Sequence, residues 1–378
     1  MPRWRPPAPD RRTPLFVHLV EPPAWRAALS EGALRPPSLA SAGFIHLSTP
    51  DQVHLPAEAL YPGRRDLVLL VVDPSRLTDP VRWEPGRPED PPGMLFPHLY
   101  GPLATTAVIA AVPYLPGHPL DLPEPGDALG RALAFYASLP VRRAVGVGDV
   151  PGGVAVLDPD FPYSRDNNRL VLTEPVDAAT IEAVAAEVAG NAGWPDQAAA
   201  LLWPEAGDVA GELAGRGWEA EELLLMARPA GLLPGAERAE VVEQHDVHPL
   251  WERSWREGLA GFGPRLDQVV TQLVGRERLN DRVVAVTDVV VREAGRVVAA
   301  AQLRIDGATA AVESVLTDTA ARGRGYADAV LARALEVATR AGCDLVVLEA
   351  AAEDWPWRWY ARRGFETVGS SWAVSRPA

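Results

Sequence analysis

One stretch near the C-terminus has a pattern that few folds can accommodate. The Gly-rich turn Arg322-Gly323-Arg324-Gly325 follows an apolar run at residues 310–316. Apolar residues then recur at the i, i+3, i+4, i+7 spacing of an amphipathic helix as far as Ala338. Gly342 ends that pattern, and a second apolar run occupies residues 345–348. The sequence therefore predicts a strand, a tight turn, a helix and a second strand.

A turn of this kind leaves backbone N–H groups unpaired at the positive end of a helix dipole. Such a site binds anions, including a pyrophosphate. Glycine favours the site because a Cβ atom would hold the phosphates away from the backbone. The alternative is an ordinary strand-to-helix turn. The turn is not a Walker A loop, since no Gly-Lys-Ser/Thr follows, and it lacks the third glycine of a dinucleotide fingerprint.

The spacing Arg-x-x-Gly-x-Ala from Arg322 to Ala327 resembles the acetyl-CoA pyrophosphate loop of the GNAT N-acetyltransferases. A second motif, residues 359–365 (Trp-Tyr-Ala-Arg-Arg-Gly-Phe), resembles the aromatic-Tyr-x-x-x-Gly-Phe segment of that family, in the same order along the chain. The resemblance implies a mixed-sheet GNAT fold, of class α+β or α/β, over residues 233–378. It also implies acetyl-CoA as cofactor and direct attack on its thioester by an amine of a small molecule or peptide.

The resemblance also assigns roles to individual residues. Tyr360 is the expected general acid, with a core tyrosine beside CoA as the alternative. Glu313 is the expected general base, because a carboxylate in an apolar strand is either paired or has a raised pKa; an exposed strand edge is the alternative. Backbone groups of Val315 and Leu316 are expected at the pantetheine arm. The residues expected at the pyrophosphate are Arg322, Gly323, Arg324, Gly325 and Ala327. Past the next strand, Glu349, Glu353 and Asp354 form an acidic cluster, for which a solvated loop is the favoured interpretation.

Composition narrows the function classes. The net charge of −14 opposes sequence-independent binding of nucleic acid, which needs a basic face. No apolar run reaches the ~18 residues of a membrane span, and no signal region follows the N-terminus, so a cytoplasmic protein is expected. Cys343 is the single cysteine, which excludes an internal disulfide and a Cys-rich metal site. The oligomeric state is not indicated.

Residues 116–126 are rich in Pro and Gly and are interpreted as a linker. Beyond them, residues 127–232 resemble the degenerate first half of tandem GNAT proteins. Their ending Gly217-Trp218-Glu219 parallels Gly364-Phe365-Glu366, and residues 153–157 and 168–172 predict a pair of hairpin strands. No Arg-x-x-Gly precedes the helical pattern from Ile181 to Val188. This half is therefore predicted to pack against the second half without binding CoA.

Residues 13–115 predict a small α+β domain. Segments such as Gly43–Thr49 and Leu95–Leu103 resemble a family of uncharacterised bacterial domains that is distantly similar to the ADP-ribosyltransferase fold. That similarity implies NAD as a ligand, contacted by His18 and His46, with Ser48, Thr49 and His98 nearby. A core role for these histidines is the alternative. A metal site of His18, His46 and His98 is formally possible, but no short His spacing supports one and no metal is predicted. Two other functions stay open: a NAD-utilising ADP-ribosyl-type enzyme, or a non-catalytic protein that binds CoA and NAD.

Overall fold

The computed structural model describes residues 15–261 and 263–377. The N-terminal domain has three helices: α1 (Pro22–Glu31), α2 (Pro37–Ser41) and α3 (His54–Leu60). Its strands are β1 (Phe16–Val20), β2 (Ala33–Leu34), β3 (Ile45–His46), β4 (Val68–Val72), β5 (Val81–Glu84), β6 (Phe96–Leu99), β7 (Leu103–Ala104) and β8 (Val108–Pro113). They form small antiparallel sheets in the orders β1-β4-β8, β3-β6-β5 and β2-β7. This is the small α+β domain that the sequence predicts.

The rest of the chain has seven more helices within the described residues: α4 (Ala128–Arg143), α5 (Ala178–Ala192), α6 (Gly207–Gly215), α7 (His248–Gly258), α8 (Leu266–Gly275), α9 (Tyr326–Arg340) and α10 (Pro356–Ala361). Its strands are β9 (Gly146–Val150), β10 (Gly153–Leu157), β11 (Arg169–Leu172), β12 (Asp196–Leu201), β13 (Glu219–Pro229), β14 (Glu240–Val242), β15 (Ala285–Glu293), β16 (Arg296–Asp306), β17 (Thr309–Thr317), β18 (Leu345–Ala351) and β19 (Glu366–Pro377). No segment from Pro116 to Asp127 is a helix or a strand.

Among the described residues, these eleven strands form one mixed sheet in the order β14-β15-β16-β17-β18-β13-β19-β12-β11-β10-β9. Two pairs within it are parallel, β11 with β12 and β17 with β18, and each is joined by a crossover helix, α5 or α9. The expected mixed-sheet α/β class is confirmed.

The sheet has two parts, one from residues 127–232 and one from residues 233–378. These parts exchange their last strands. β13 closes the segment 127–232, yet it pairs with β18 of the second part. β19 closes the second part, yet it pairs with β12 of the first. β13 and β19 also pair with each other along nearly their whole length. Neither part therefore has a complete sheet of its own.

The N-terminal domain is fixed to the end of the β16–β17 hairpin by buried polar contacts. Asp306 Oδ1 accepts a hydrogen bond from Trp25 Nε1 at 2.7 Å, and Asp306 Oδ2 pairs with Arg142 of α4 at 2.8 Å. Ala308 N donates to the carbonyl of Val108 at 2.7 Å. A Cβ on Gly307 would lie 2.3 Å from that same carbonyl, so the close approach requires glycine. The turn of the β16–β17 hairpin, from which β17 runs into the candidate site, is thus anchored to the N-terminal domain and to α4.

No helix in the described ranges combines the length and apolar content needed to cross a bilayer.

Candidate active site

A wedge opens in the large sheet between β17 and β18. The two strands pair only through residues 309–311 and 345–347. Beyond that point β17 continues against β16, whereas β18 continues against β13. A bulge bends β17 where they part, since Ser314 has a φ of 51° and the register shifts opposite Ala300 and Gln302. The side of residues 312–317 that faces β18 consequently has no strand partner in the described chain.

The N-terminus of α9 follows directly from the wedge through residues 322–325. Gly323 and Gly325 have φ values of 76° and 75°, a left-handed conformation that favours glycine. No side chain caps this helix, and in the described chain the N–H groups of Gly323, Arg324 and Gly325 donate to no protein acceptor. Exposed donors on the positive end of a 15-residue helix form an anion site.

In the first part of the sheet, the corresponding helix N-terminus is capped and the corresponding strands stay paired. α5 is the crossover helix there, and the side chain of Asp177 caps it by accepting from Thr180 N at 3.0 Å. This carboxylate occupies the position that an anionic ligand would take. The parallel strands β11 and β12 do not part, because pairing runs to Leu172, whose carbonyl still accepts from Leu202 N at 2.8 Å.

Two carboxylates, Glu313 on β17 and Glu349 on β18, lie one on each arm of the wedge. On these strands Ala311 and Val347 pack against α4, and alternation of side chains puts Glu313 and Glu349 on that same face. The opposite face packs against α9. The carboxylates therefore lie on the side of the sheet that packs against α4.

Glu313 Oε1 accepts a hydrogen bond from the hydroxyl of Tyr136, at 2.8 Å. Burial raises the pKa of Glu313, against the opposing charge of Arg304 and the Tyr136 hydrogen bond. Burial together with the charge of Glu313 raises the pKa of Glu349 to about 7, although Ser371 Oγ donates to Glu349 Oε1 at 2.8 Å. The pKa values of both carboxylates are therefore raised, and burial is the largest cause in each case.

Tyr360, on α10, is buried and packs edge-on against Trp359 and Phe365. Burial, with the charge of Glu313, raises the pKa of its hydroxyl. A tyrosine with a raised pKa keeps its proton at neutral pH, which a general acid requires. The charge of Glu313 acts on this hydroxyl, although Tyr360 itself packs in the apolar cluster on the α9 face of the sheet.

The residues expected to bind the cofactor fall into two places. Val315 and Leu316 lie on the bulged part of β17, which pairs with β16 but has no strand partner on its side toward β18. Arg322 and Arg324 are exposed in the turn, where Arg324 pairs with Glu293 and its carbonyl accepts from Arg238 at 3.2 Å. Ala327 lies in the first turn of α9. The turn and the unpartnered strand edge are thus contiguous.

Two side chains of this site were missed from the sequence. Tyr136 comes from α4, whose helical pattern gives no sign that one of its residues reaches a carboxylate 177 positions away. Glu349 was grouped with Glu353 and Asp354, but those two are exposed after β18, whereas Glu349 lies within the strand. Its position inside an apolar run was the available signal, the same signal that indicated Glu313.

The N-terminal domain contains a cavity of about 840 Å³, which is within the usual size range of ligand sites. His18, His46 and Ser48 line it, whereas Thr49 and His98 do not. His18 Nδ1 lies 2.7 Å from the carbonyl of His46, which makes Nδ1 the protonated nitrogen. Burial lowers the pKa of His18 to about 4, so its imidazole is neutral at physiological pH.

His98 lies behind this cavity. Its ring centroid is 4.9 Å from that of His46 and 4.1 Å from that of Phe44, on which it stacks. His98 Nδ1 is 3.1 Å from Glu84 Oε2, which also accepts from the Tyr100 hydroxyl at 2.7 Å. Within residues 15–261 and 263–377, no group of three or more His, Cys, Asp or Glu side chains is arranged to hold a metal ion.

Residues 246–365 match the model of the "Acetyltransferase (GNAT) family", a range that includes the wedge, the Gly-rich turn and Tyr360. This segment is similar to the GNAT acetyltransferases. Residues 19–111 match a family described as "Protein of unknown function (DUF952)". Neither match extends to residues 127–232, and neither supports the ADP-ribosyltransferase resemblance.

Individual proteins are also similar to parts of this chain. A 72-residue stretch is 40% identical to "Probable glucosamine 6-phosphate N-acetyltransferase 2" of Oryza sativa subsp. japonica; it is 19% of this chain and spans 42% of the rice protein. A GCN5-related N-acetyltransferase from Kribbella flavida is 21% identical, with a TM-score of 0.46 over 67% of this chain and 96% of its own. Protein CC0527 from Caulobacter crescentus is 32% identical, with a TM-score of 0.24 over 30% of this chain and 90% of its own.

Proposed function

We propose that residues 233–378 transfer an acetyl group from acetyl-CoA to an amine, with Glu313 as general base and Tyr360 as general acid. The observation that carries the proposal is the wedge between β17 and β18, which opens beside the uncapped N-terminus of α9 and has Glu313 on one arm. This arrangement unites an unpaired strand edge, an anion site and an acid–base pair.

The residues of the turn and of β17 fit acetyl-CoA. The free N–H groups of residues 323–325 suit a pyrophosphate, and the exposed guanidinium groups of Arg322 and Arg324 add positive charge. On the side of β17 that faces β18, backbone groups near Val315 and Leu316 can bond the amides of the pantetheine arm, as a neighbouring strand would. When bound, acetyl-CoA supplies an activated acetyl thioester.

The proton movements follow from the environment of each group. An alkyl ammonium with a pKa near ~10.4 cannot attack a carbonyl until it loses a proton. Glu313 accepts that proton, directly or through water, and its raised pKa makes it a stronger base than a solvated glutamate. Tyr360 holds a proton at its hydroxyl for the departing sulfur. Glu349, with a pKa of about 7, is the second carboxylate that faces the acceptor.

Binding of acetyl-CoA tests the anion site. We expect calorimetry to show saturable binding by the wild-type chain, weakened at least tenfold in Arg324→Glu, because the new carboxylate repels phosphate at the helix N-terminus. Arg282→Glu is the matched control, since it makes the same charge change at an exposed position outside the turn. Equal affinity in all three proteins would contradict the assignment of the pyrophosphate to this turn.

The acceptor is an amine of a small molecule or peptide. Because the name of the rice relative gives glucosamine 6-phosphate, that amino sugar belongs in an acceptor panel with polyamines, amino acids and peptide N-termini. In residues 127–232 we propose a GNAT-like half that binds no CoA, on account of the Asp177 cap and the unparted strands β11 and β12. Its role is to complete the sheet of the active half.

The cavity of the N-terminal domain favours a second function, the binding of a small molecule, for which NAD is the first probe. We expect saturable binding of NAD that is lost in His18→Ala and His46→Ala, since both side chains line the cavity. His54→Ala, an exposed histidine on α3, should bind as the wild type does. If calorimetry shows no binding by the wild-type chain, NAD is not the ligand.

A further inference from the structure

Helix α4 lies outside the matched acetyltransferase segment, yet it contacts the proposed general base. The Tyr136 hydroxyl is 2.8 Å from Glu313 Oε1, and both side chains are half-buried. On the sheet side of the same helix, Ala132, Phe135 and Leu139 pack into one apolar cluster with residues of β17 and β18. Tyr136 is the member of this face that ends in a polar atom, and that atom meets the carboxylate.

The position of Tyr136 is fixed because α4 is anchored at several points. Asp127 caps its N-terminus by accepting from Gly130 N at 2.9 Å. Arg131, which is buried, pairs with Asp344 at 2.7 Å. Ser138 Oγ donates to the carbonyl of Ala111 at 2.6 Å, and Arg142 pairs with Asp306 at 2.8 Å. These contacts lie on both sides of Tyr136 along the helix and therefore fix the position of its hydroxyl.

Charged groups from several neighbouring segments act on Glu313. Arg304 of β16 favours its ionised form, but Arg304 is already bonded to Gln302 Oε1 at 2.7 Å and to Glu277 Oε2 at 2.8 Å. Glu277, in the 3-10 helix after α8, and Asp166, in the turn before β11, disfavour ionisation. The charge of Glu313 in turn contributes to the raised pKa values of Glu349 and Tyr360.

Tyr136 is thus a direct donor to Glu313. Its hydrogen bond favours the carboxylate over the carboxylic acid, and hydrogen bonds to an ionised acceptor are stronger than neutral ones. Ser371 plays the matching part on Glu349 of the other arm. The hydroxyl of Tyr136 also restricts the direction in which the second oxygen of Glu313 can point.

We propose that Tyr136 is a positioning residue for acetyl transfer, which holds Glu313 ionised and oriented toward the acceptor, so that the segment preceding the acetyltransferase domain completes its active site. The inference rests on the proposed function. It assigns to α4 a task in the reaction besides packing.

The test measures the titration of Glu313 in the full chain by ¹³C NMR with labelled glutamate, its signal being assigned by its absence in Glu313→Gln. We expect Tyr136→Phe to raise the pKa of Glu313 by about one unit, the equivalent of a tenfold loss of preference for the ionised form. Tyr61→Phe, which removes a hydroxyl from the N-terminal domain, should leave it unchanged. An unchanged Glu313 titration in Tyr136→Phe would overturn the proposal, whatever the activity.

Kinetics supply the second readout, with acetyl-CoA and the best amine of the acceptor panel. We expect the acid limb of kcat/KM in Tyr136→Phe to move to higher pH by the same one unit, with the affinity for acetyl-CoA retained. Tyr136→Phe added to Glu313→Gln should cause no further loss, because the residue acts through Glu313. Additive losses would overturn the proposal. A shifted Glu313 titration without any amine turnover would instead count against the proposed function alone.

Discussion

Glu313→Gln is expected to lower kcat/KM for acetyl transfer at pH 7 by a factor of about 10² to 10⁴, the usual contribution of a positioned general base. The amide keeps the shape of the side chain and its place beside Tyr136 but cannot accept the ammonium proton. Steady-state kinetics with acetyl-CoA and the best amine of the acceptor panel measure the loss.

The proposed role of Glu313 also predicts the direction in which kcat/KM changes with pH. The base works when ionised, so kcat/KM of the wild type rises with pH through the pKa of Glu313, which burial places above that of a free glutamate. This limb should be absent in Glu313→Gln. Glu353→Gln is the matched control, because Glu353 is exposed just past β18. A variant at position 313 with wild-type kcat/KM would exclude Glu313 as the base.

Asp306→Ala is expected to lower the free energy of unfolding by about 3–5 kcal/mol, the cost of leaving one partner of a buried ion pair uncompensated. The side chains of Arg142 and Asp306 are 2% and 5% exposed, so the guanidinium left behind is held away from water. The variant also removes the acceptor of Trp25 Nε1, which lies in the N-terminal domain. Denaturation by urea, followed by tryptophan fluorescence, measures the change.

Asp267→Ala is the control for this second prediction. Asp267 pairs with Arg256, but its side chain is 84% exposed, and exposed ion pairs contribute about 0–1 kcal/mol. Equal destabilisation by the two substitutions would show that the contact between Asp306 and Arg142 does not hold the β16–β17 hairpin to α4 and the N-terminal domain.

Local features of the site could be predicted because they depend on neighbours in sequence. The strand, turn, helix and strand around Gly325 follow from apolar spacing and from glycine, and the structure has them as β17, α9 and β18. The apolar run before the turn also showed that Glu313 lies inside a strand. The hairpin strands predicted at residues 153–157 and 168–172 pair as β10 and β11.

Features made by distant segments could not be predicted in this way. The hydroxyl of Tyr136 is one polar atom on an otherwise apolar helix face, and only the packing of α4 on the sheet brings it to Glu313. The similar endings at Gly217 and Gly364 indicated two related strands, but pairing partners are not encoded locally. The cavity beside His18 and His46 likewise depends on how α1 and α3 pack around β1.

The exchanged strands make the large sheet the single-chain counterpart of a strand-swapped dimer. A chain cut between Pro229 and Glu240 would give two fragments, each with an open sheet edge that the other is shaped to cover. Such fragments are suited to reconstitution from separate genes, with acetyl transfer as the readout of their association. The proposed active site would be complete only where both fragments meet, because Tyr136 lies on one and Glu313 on the other.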